Sequence, residues 1–267
     1  MPDRDDILAE LGLTPVWRLR APADAAPPHV SDAEVADGPQ SAEAPTTRCP
    51  AAPTETDARS ARIAKIEWPD FAADVDVCTA CGLCRGRRKS VPGVGDPHAQ
   101  WLFVGEAPGA EEDARGEPFV GQAGRLLDNM LAALGMQRGQ NVYITNVLKC
   151  RPPNNRTPEP LEVEACRPYL DRQIALLKPK IIVALGKSAA TTLLDMDASI
   201  ASLRGRVHRY RGVPLVVTYH PAYLLRNLPD KSKAWEDLLF ARRTLRAADA
   251  PGAPPQSGNL NLQRDVS

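Results

Sequence analysis

Four apolar runs of strand length divide the middle of the chain, and apolar residues recur at helical spacing between them. The first, Trp101-Leu102-Phe103-Val104, stops at Gly105-Glu106-Ala107-Pro108-Gly109. Two glycines and a proline in five residues force a tight turn whose backbone can lie close to a ligand. A helix is expected from about Gln122, with Leu126, Leu127, Met130, Leu131 and Leu134 on one face and Gly135 as its stop. The second run, residues 141–147, leads into Leu148 to Pro158, a loop that neither helix nor strand absorbs. Tyr169, Leu170, Ile174 and Leu177 then mark a long helix over 159–177. Residues 180–185 form the third run, continuously apolar after Lys180, as central parallel strands are. Residues 206–210 and 213–219 flank Arg211-Gly212 as a hairpin, and a closing helix runs from Trp235 to about Ala247. Strands alternating with helices describe an open α/β sheet, which builds its sites at the C-terminal ends of its strands.

The chain's two ends are patterned differently. Residues 4–20 read as a short helix stopping at Gly12, then an extended piece centred on Val16-Trp17. The forty residues of 21–60 are rich in Ala, Ser, Thr and acids, with seven prolines, and cannot bury enough apolar surface to offset chain entropy. The expected organisation is therefore a peptide at 1–20, a disordered tether at 21–60, a catalytic domain at 61–247 and a disordered tail at 248–267.

The formal charge is zero, yet residues 61–267 carry 28 bases and 22 acids, a net +6 that permits a polyanionic partner. The chain shows no apolar run of membrane-spanning length and no secretory leader, which predicts a cytoplasmic protein. In that compartment the six cysteines are more readily metal ligands or core residues than disulfides.

Cys78-Thr79-Ala80-Cys81 has ligand spacing, since two thiolates two residues apart reach one metal centre across a turn. A ferredoxin loop would place a further cysteine at 88, where Arg88 stands, so partners must come from Cys150 and Cys166. Four thiolates suit zinc or an iron–sulfur cluster alike. Gly186-Lys187-Ser188 suggests a phosphate-binding loop, but that motif needs glycine at the position of Ile181.

Taken in order, GEAPG with FVG, the paired cysteines, ITN with CRPPNNRTP, and HPAYLLRN resemble the family 4 uracil-DNA glycosylases over about residues 67–247. The resemblance implies a three-layer α/β/α sandwich around a four-stranded parallel sheet, acting as a monomer on uracil in single- or double-stranded DNA. It also implies a [4Fe–4S] cluster on Cys78, Cys81, Cys150 and Cys166, pinning loops near DNA without entering the chemistry; Cys84 falls where no ligand is needed.

By the same resemblance Phe119 stacks on the flipped base, Asn146 reads its edge, and His220 stabilises charge growing on uracil O2 as the glycosidic bond breaks. Gly105, Ala107 and Gly109 line the base site, and Gly109 offers no side chain against a 5-methyl group. Ala107 replaces the aspartate other superfamily members carry, which leaves Glu106, Glu112 and Asn155 to orient water or steady the cation. In HPAYLLRN, Tyr223, Leu224 and Leu225 are candidates to fill the gap left by the base, and Arg226 to meet phosphate. A relative that bonds covalently to DNA does so through a histidine in its inserted loop; the corresponding CRPPNNRTP has none, which favours turnover over a trapping or non-catalytic uracil sensor at the replisome.

Residues 4–20 resemble the N-terminal peptide of the polymerase psi subunit, which docks on the clamp loader. That likeness implies recruitment to replication, with residues 1–60 dispensable for cleavage.

Overall fold

The computed structural model describes residues 55–249. The peptide at 1–20, most of the tether including Cys49, and the tail from 250 lie outside the described residues. Helix α1 (Glu55–Ile63) begins within the stretch assigned to the tether, so regular structure is present ahead of residue 61.

The elements that follow are α2 (Trp68–Asp76), a 3-10 turn at Gly82–Arg85, β1 (Val94–Gly95), β2 (Trp101–Gly105), α3 (Ala110–Arg115), α4 (Gln122–Ala133) and β3 (Val142–Asn146). Then come a 3-10 turn at Pro153–Asn155, α5 (Pro160–Leu177), β4 (Ile181–Leu185), α6 (Lys187–Leu194), α7 (Ile200–Leu203), β5 (His208–Tyr210), β6 (Val213–Thr218), α8 (Pro221–Leu224) and α9 (Asp230–Asp249).

The sheet order is β1-β3-β2-β4-β6-β5. Its centre, β3-β2-β4-β6, is the expected four-stranded parallel sheet. Short β1 and β5 extend it antiparallel at the two edges, giving a mixed sheet of six strands. The hairpin is present: Arg211 and Gly212 both take positive φ, as the tight turn between twisted strands requires.

Side chains alternate across each strand and so divide the core into two layers. Leu102, Val104, Ile182, Ala184, Leu215 and Val217 face Leu170, Ile174 and Leu177 of α5 and Ala190 and Leu193 of α6. Phe103, Ile144, Val183 and Val216 face Leu127 and Leu131 of α4 and Leu238, Ala241 and Leu245 of α9. The result is the expected three-layer sandwich. Helix α9 starts five residues ahead of Trp235, because its first turn is polar and carries no apolar period. No helix among the described residues is long and apolar enough to cross a membrane.

Parallel pairing sets Gly105 beside Asn146 and Leu185 beside Thr218, so the chains leaving β2, β3, β4 and β6 emerge at one edge. Helices α1 and α2 form a separate small core, Ile63, Phe71 and Val75 against Tyr169 of α5. The Tyr169 hydroxyl donates to Asp74 Oδ1 at 2.6 Å, and Arg59 of α1 donates to the Ala165 carbonyl at 2.9 Å. This packing places the Cys78 loop against α5.

Candidate active site

A cleft of about 470 Å³ opens where the parallel strands end. It is lined by Glu106, Ala107, Pro108, Gly109 and Glu112 from the turn after β2 and α3, and by Phe119 and Ala123. Asn146, Pro152, Asn155 and Arg156 come from β3 and its loop, and His220, Ala222 and Arg226 from the segment after β6. Every sequence-expected catalytic residue thus meets in one place. Gly105 lies behind the wall. A Cβ there would stand 2.3 Å from Asn146 Oδ1 and 2.6 Å from the Phe119 ring, so only glycine lets amide and ring approach each other.

Phe119 holds φ of 56°, an uncommon conformation for a bulky residue. Its neighbours over-determine it. Arg138 donates to the carbonyls of Pro118 (2.8 Å) and Phe119 (2.9 Å), while Glu112 accepts from the backbone N–H of Val120 at 3.0 Å. Glu112 also accepts from Gly109 N–H at 3.1 Å and Gly121 N–H at 3.4 Å. Its carboxylate is therefore a clasp between the two loops, with both oxygens accepting from backbone donors while the residue lines the cleft. Asn155 Oδ1 accepts from Arg151 Nε at 2.8 Å, so its carbonyl side is likewise engaged. Among the described residues no hydrogen bond engages the Glu106 carboxylate, which leaves it the freest acid at the cleft.

His220 caps α8: its Nδ1 accepts from Ala222 N–H at 3.1 Å. A backbone N–H can only donate, so in the neutral ring the proton sits on Nε2. Burial pushes the imidazole down to about 4, Arg226 adds to that, and Glu112 opposes it. The ring is therefore a neutral Nε2–H donor near pH 7. It lies 5.5 Å from the Phe119 ring, centroid to centroid. Gly186 permits this placement, with φ of 94° and a hypothetical Cβ 2.9 Å from His220 Cβ.

The segment HPAYLLRN is divided by α8. Leu224 is 1% exposed and packs with Tyr219 and Ala234, so it is a core residue and not a filler of the DNA stack. Tyr223 stacks on Tyr219 at 5.2 Å and donates its hydroxyl to Asp230 Oδ2 at 2.7 Å, which ties it down as well. Leu225, 38% exposed, is the remaining apolar candidate.

Cys78, Cys81, Cys150 and Cys166 line one cavity together with Leu83, Leu148 and Tyr169. Cys84 lines it too, which its sequence position alone did not indicate. Among the described residues no group of three or more Cys, His, Asp or Glu closes on a single-ion point. The donor chemistry nonetheless fits a thiolate-bound centre. Arg87 donates to Cys150 Sγ at 3.2 Å, Arg59 to Cys78 Sγ at 3.4 Å, and Lys149 N–H to Cys166 Sγ at 3.3 Å. Burial pushes the Cys81 and Cys150 thiols up, and Cys166 up to about 12, so a metal centre is what would make these sulfurs thiolates. Arg59, Arg87 and Arg138 were not singled out in the sequence, because guanidinium contacts between distant segments leave no local signal.

The uracil DNA glycosylase superfamily model matches residues 92–239. A type-4 uracil-DNA glycosylase of Archaeoglobus fulgidus is 47% identical over 164 residues, covering 58% of this chain and 82% of that protein. One of Pyrobaculum aerophilum is 48% identical over 169 residues, covering 60% and 86%. A type-5 uracil-DNA glycosylase of Thermus thermophilus is 32% identical over 194 residues, covering 57% and 86%.

Proposed function

The chain belongs to the uracil-DNA glycosylase superfamily, and from that premise we propose that it works as a type-4 uracil-DNA glycosylase, hydrolysing the N-glycosidic bond of uracil in DNA to leave an abasic site. The observation that carries the reading is the convergence of Phe119, Asn146 and the His220 donor edge in one cleft. The base leaves the stack at a cost of a few kcal/mol and enters between these groups. Phe119 offers its ring to the base face. The Asn146 amide donates to uracil O4 and accepts from N3–H, a pattern that cytosine inverts. Among the described residues that amide makes no internal hydrogen bond, as a side chain kept for a ligand should not.

As the bond to the sugar breaks, negative charge grows on uracil O2, and the His220 Nε2–H donates to it. A neutral donor suits this task because it stabilises the anion without surrendering its proton. One such donor lowers the barrier by about 3–4 kcal/mol. Glu106 orients the water that meets the sugar cation. Leu225 fills the vacated position in the stack and Arg226 meets phosphate.

Cys78, Cys81, Cys150 and Cys166 would hold a [4Fe–4S] cluster, and when bound it supplies a fourfold cross-link between the α2–β1 segment, the loop after β3 and α5. The segment 4–20 is assigned a docking role on the clamp loader, on its likeness to the psi peptide. Uracil release from a labelled single-stranded oligonucleotide tests the central reading. The parent protein should release the base, and Asn146→Ala should slow single-turnover release by about 100-fold while DNA affinity holds. A parent protein that binds but never releases uracil would instead be the non-catalytic sensor.

A further inference from the structure

Lys149 is 1% exposed, among the largest fully buried side chains of the protein, and no carboxylate is among its hydrogen-bond partners. Burying an amine is costly unless each of its donors is met. Here they are met by neutral oxygens: the Asn146 main-chain carbonyl at 2.7 Å, Thr145 Oγ1 at 2.7 Å and Gln173 Oε1 at 2.6 Å. Those acceptors are themselves fixed. Thr145 Oγ1 donates to the Pro92 carbonyl at 3.0 Å, and Gln173 Nε2 donates to the same carbonyl at 2.7 Å. The side chain thus ties the last two residues of β3 to the C-terminal part of α5. Its own backbone N–H meets Cys166 Sγ, and the next residue is Cys150.

An apolar residue of similar length would fill the same volume without bringing three polar partners into a closed core. What the polar version adds is a directional hold on the carbonyl of Asn146, the residue whose own side-chain amide faces the cleft. We propose that Lys149 is a positioning residue for base recognition, fixing the end of β3 so that the Asn146 side chain meets the uracil edge in register. The proposal rests on Asn146 reading the base. A displacement on the order of 1 Å at such a contact costs up to about 100-fold in rate.

The test is a double-mutant cycle on the full-length protein in single-turnover uracil release. Lys149→Met should slow release by about 10- to 100-fold, with unchanged affinity for uracil-containing DNA, unchanged visible absorbance and a cooperative thermal transition. In the Asn146→Ala background Lys149→Met should cause no further loss, because the group it positions is gone; a merely structural lysine would lower the rate in both backgrounds. Should Lys149→Met fail to fold, Gln173→Leu and Thr145→Val, which each remove one acceptor, decide the matter by the same non-additivity. Parent-like release by Lys149→Met, or an equal loss with and without Asn146, overturns the inference while leaving the site assignment standing. Parent-like release by Asn146→Ala overturns the base-reading assignment and the inference with it.

Discussion

At the scale of single residues, the site depends on side chains whose second hydrogen bond decides what the first can do. His220 is the clearest case. Its Nδ1 is committed to Ala222 N–H, so protonating that nitrogen would set two donors face to face. The folded imidazole is pushed down to about 4 from an ordinary 6.5. Between those values the unfolded chain binds a proton that the folded chain does not, so this group's contribution to stability is full above 6.5 and lost as pH falls toward 4. Single-turnover release is expected to stay level from pH 8 to about 5 and to fall below that, with the imidazole ¹⁵N spectrum showing the Nε2–H tautomer throughout the plateau. An inflection near 6.5 in either measurement would remove the neutral-donor role. His220→Ala should cut release by about 100-fold with DNA affinity retained. Asn146 and His220 were legible in the sequence because their motifs stand directly at strand ends. The clasp role of Glu112 was not, since it depends on backbone donors of Val120 and Gly121 that only the folded turn brings near.

Among elements, the long periodic ones were readable and the short ones were not. The strands β2, β3, β4 and β6 and helices α4 and α5 lie within a few residues of where apolar runs and spacing put them. Six-residue α3 and four-residue α8 are too short to show a period, and both shape the cleft. Missing α8 is what made Leu224 look exposed. Leu224→Ala should cost about 2–5 kcal/mol of stability, seen as a lower denaturation midpoint. Leu225→Ala should leave that midpoint alone and slow release from duplex DNA more than from single strands, where no stack needs holding open. The reverse ranking would return Leu224 to the DNA surface. The sulfur cavity joins α2, the Gly82–Arg85 turn, the loop after β3 and α5, four segments that also share apolar packing. Changing Cys78, Cys81, Cys150 or Cys166 to Ser should abolish brown colour and the iron content of about four per chain, and Cys84→Ser should preserve both. Zinc in place of iron after anaerobic purification would sink the cluster assignment.

Over the whole molecule, the superfamily match at 92–239 leaves out Cys78, Cys81, Arg59 and Arg87, which supply half of the sulfur set and its guanidinium donors. The sulfur-lined cavity is therefore built from the shared sheet domain together with the segments that precede it. This bears on where the chain can be cut. Composition put residues up to 60 in a tether, but α1 carries Arg59, bonded to Ala165 and Cys78, and Ile63, fully buried against α2 and α5. Removing residues 1–54 should leave uracil release from free oligonucleotides, thermal midpoint and visible colour at parent values. Removing residues 1–63 should lower the midpoint and bleach the protein, because the loop bearing Cys78 loses both its arginine tie and its packing. If the two truncations behave alike, α1 is not part of the enzyme's working unit. The shorter cut also isolates the docking role assigned to residues 4–20. A linker between a docking peptide and an enzyme raises the local concentration of a bound partner without adding contacts to the enzyme. A peptide of residues 1–22 should bind purified clamp loader in a fluorescence titration, and Trp17→Ala should abolish that binding, as expected when one aromatic anchor dominates a small interface. Loss of release on removing 1–54 would instead assign the segment to the enzyme's own fold, and recruitment would have to be abandoned.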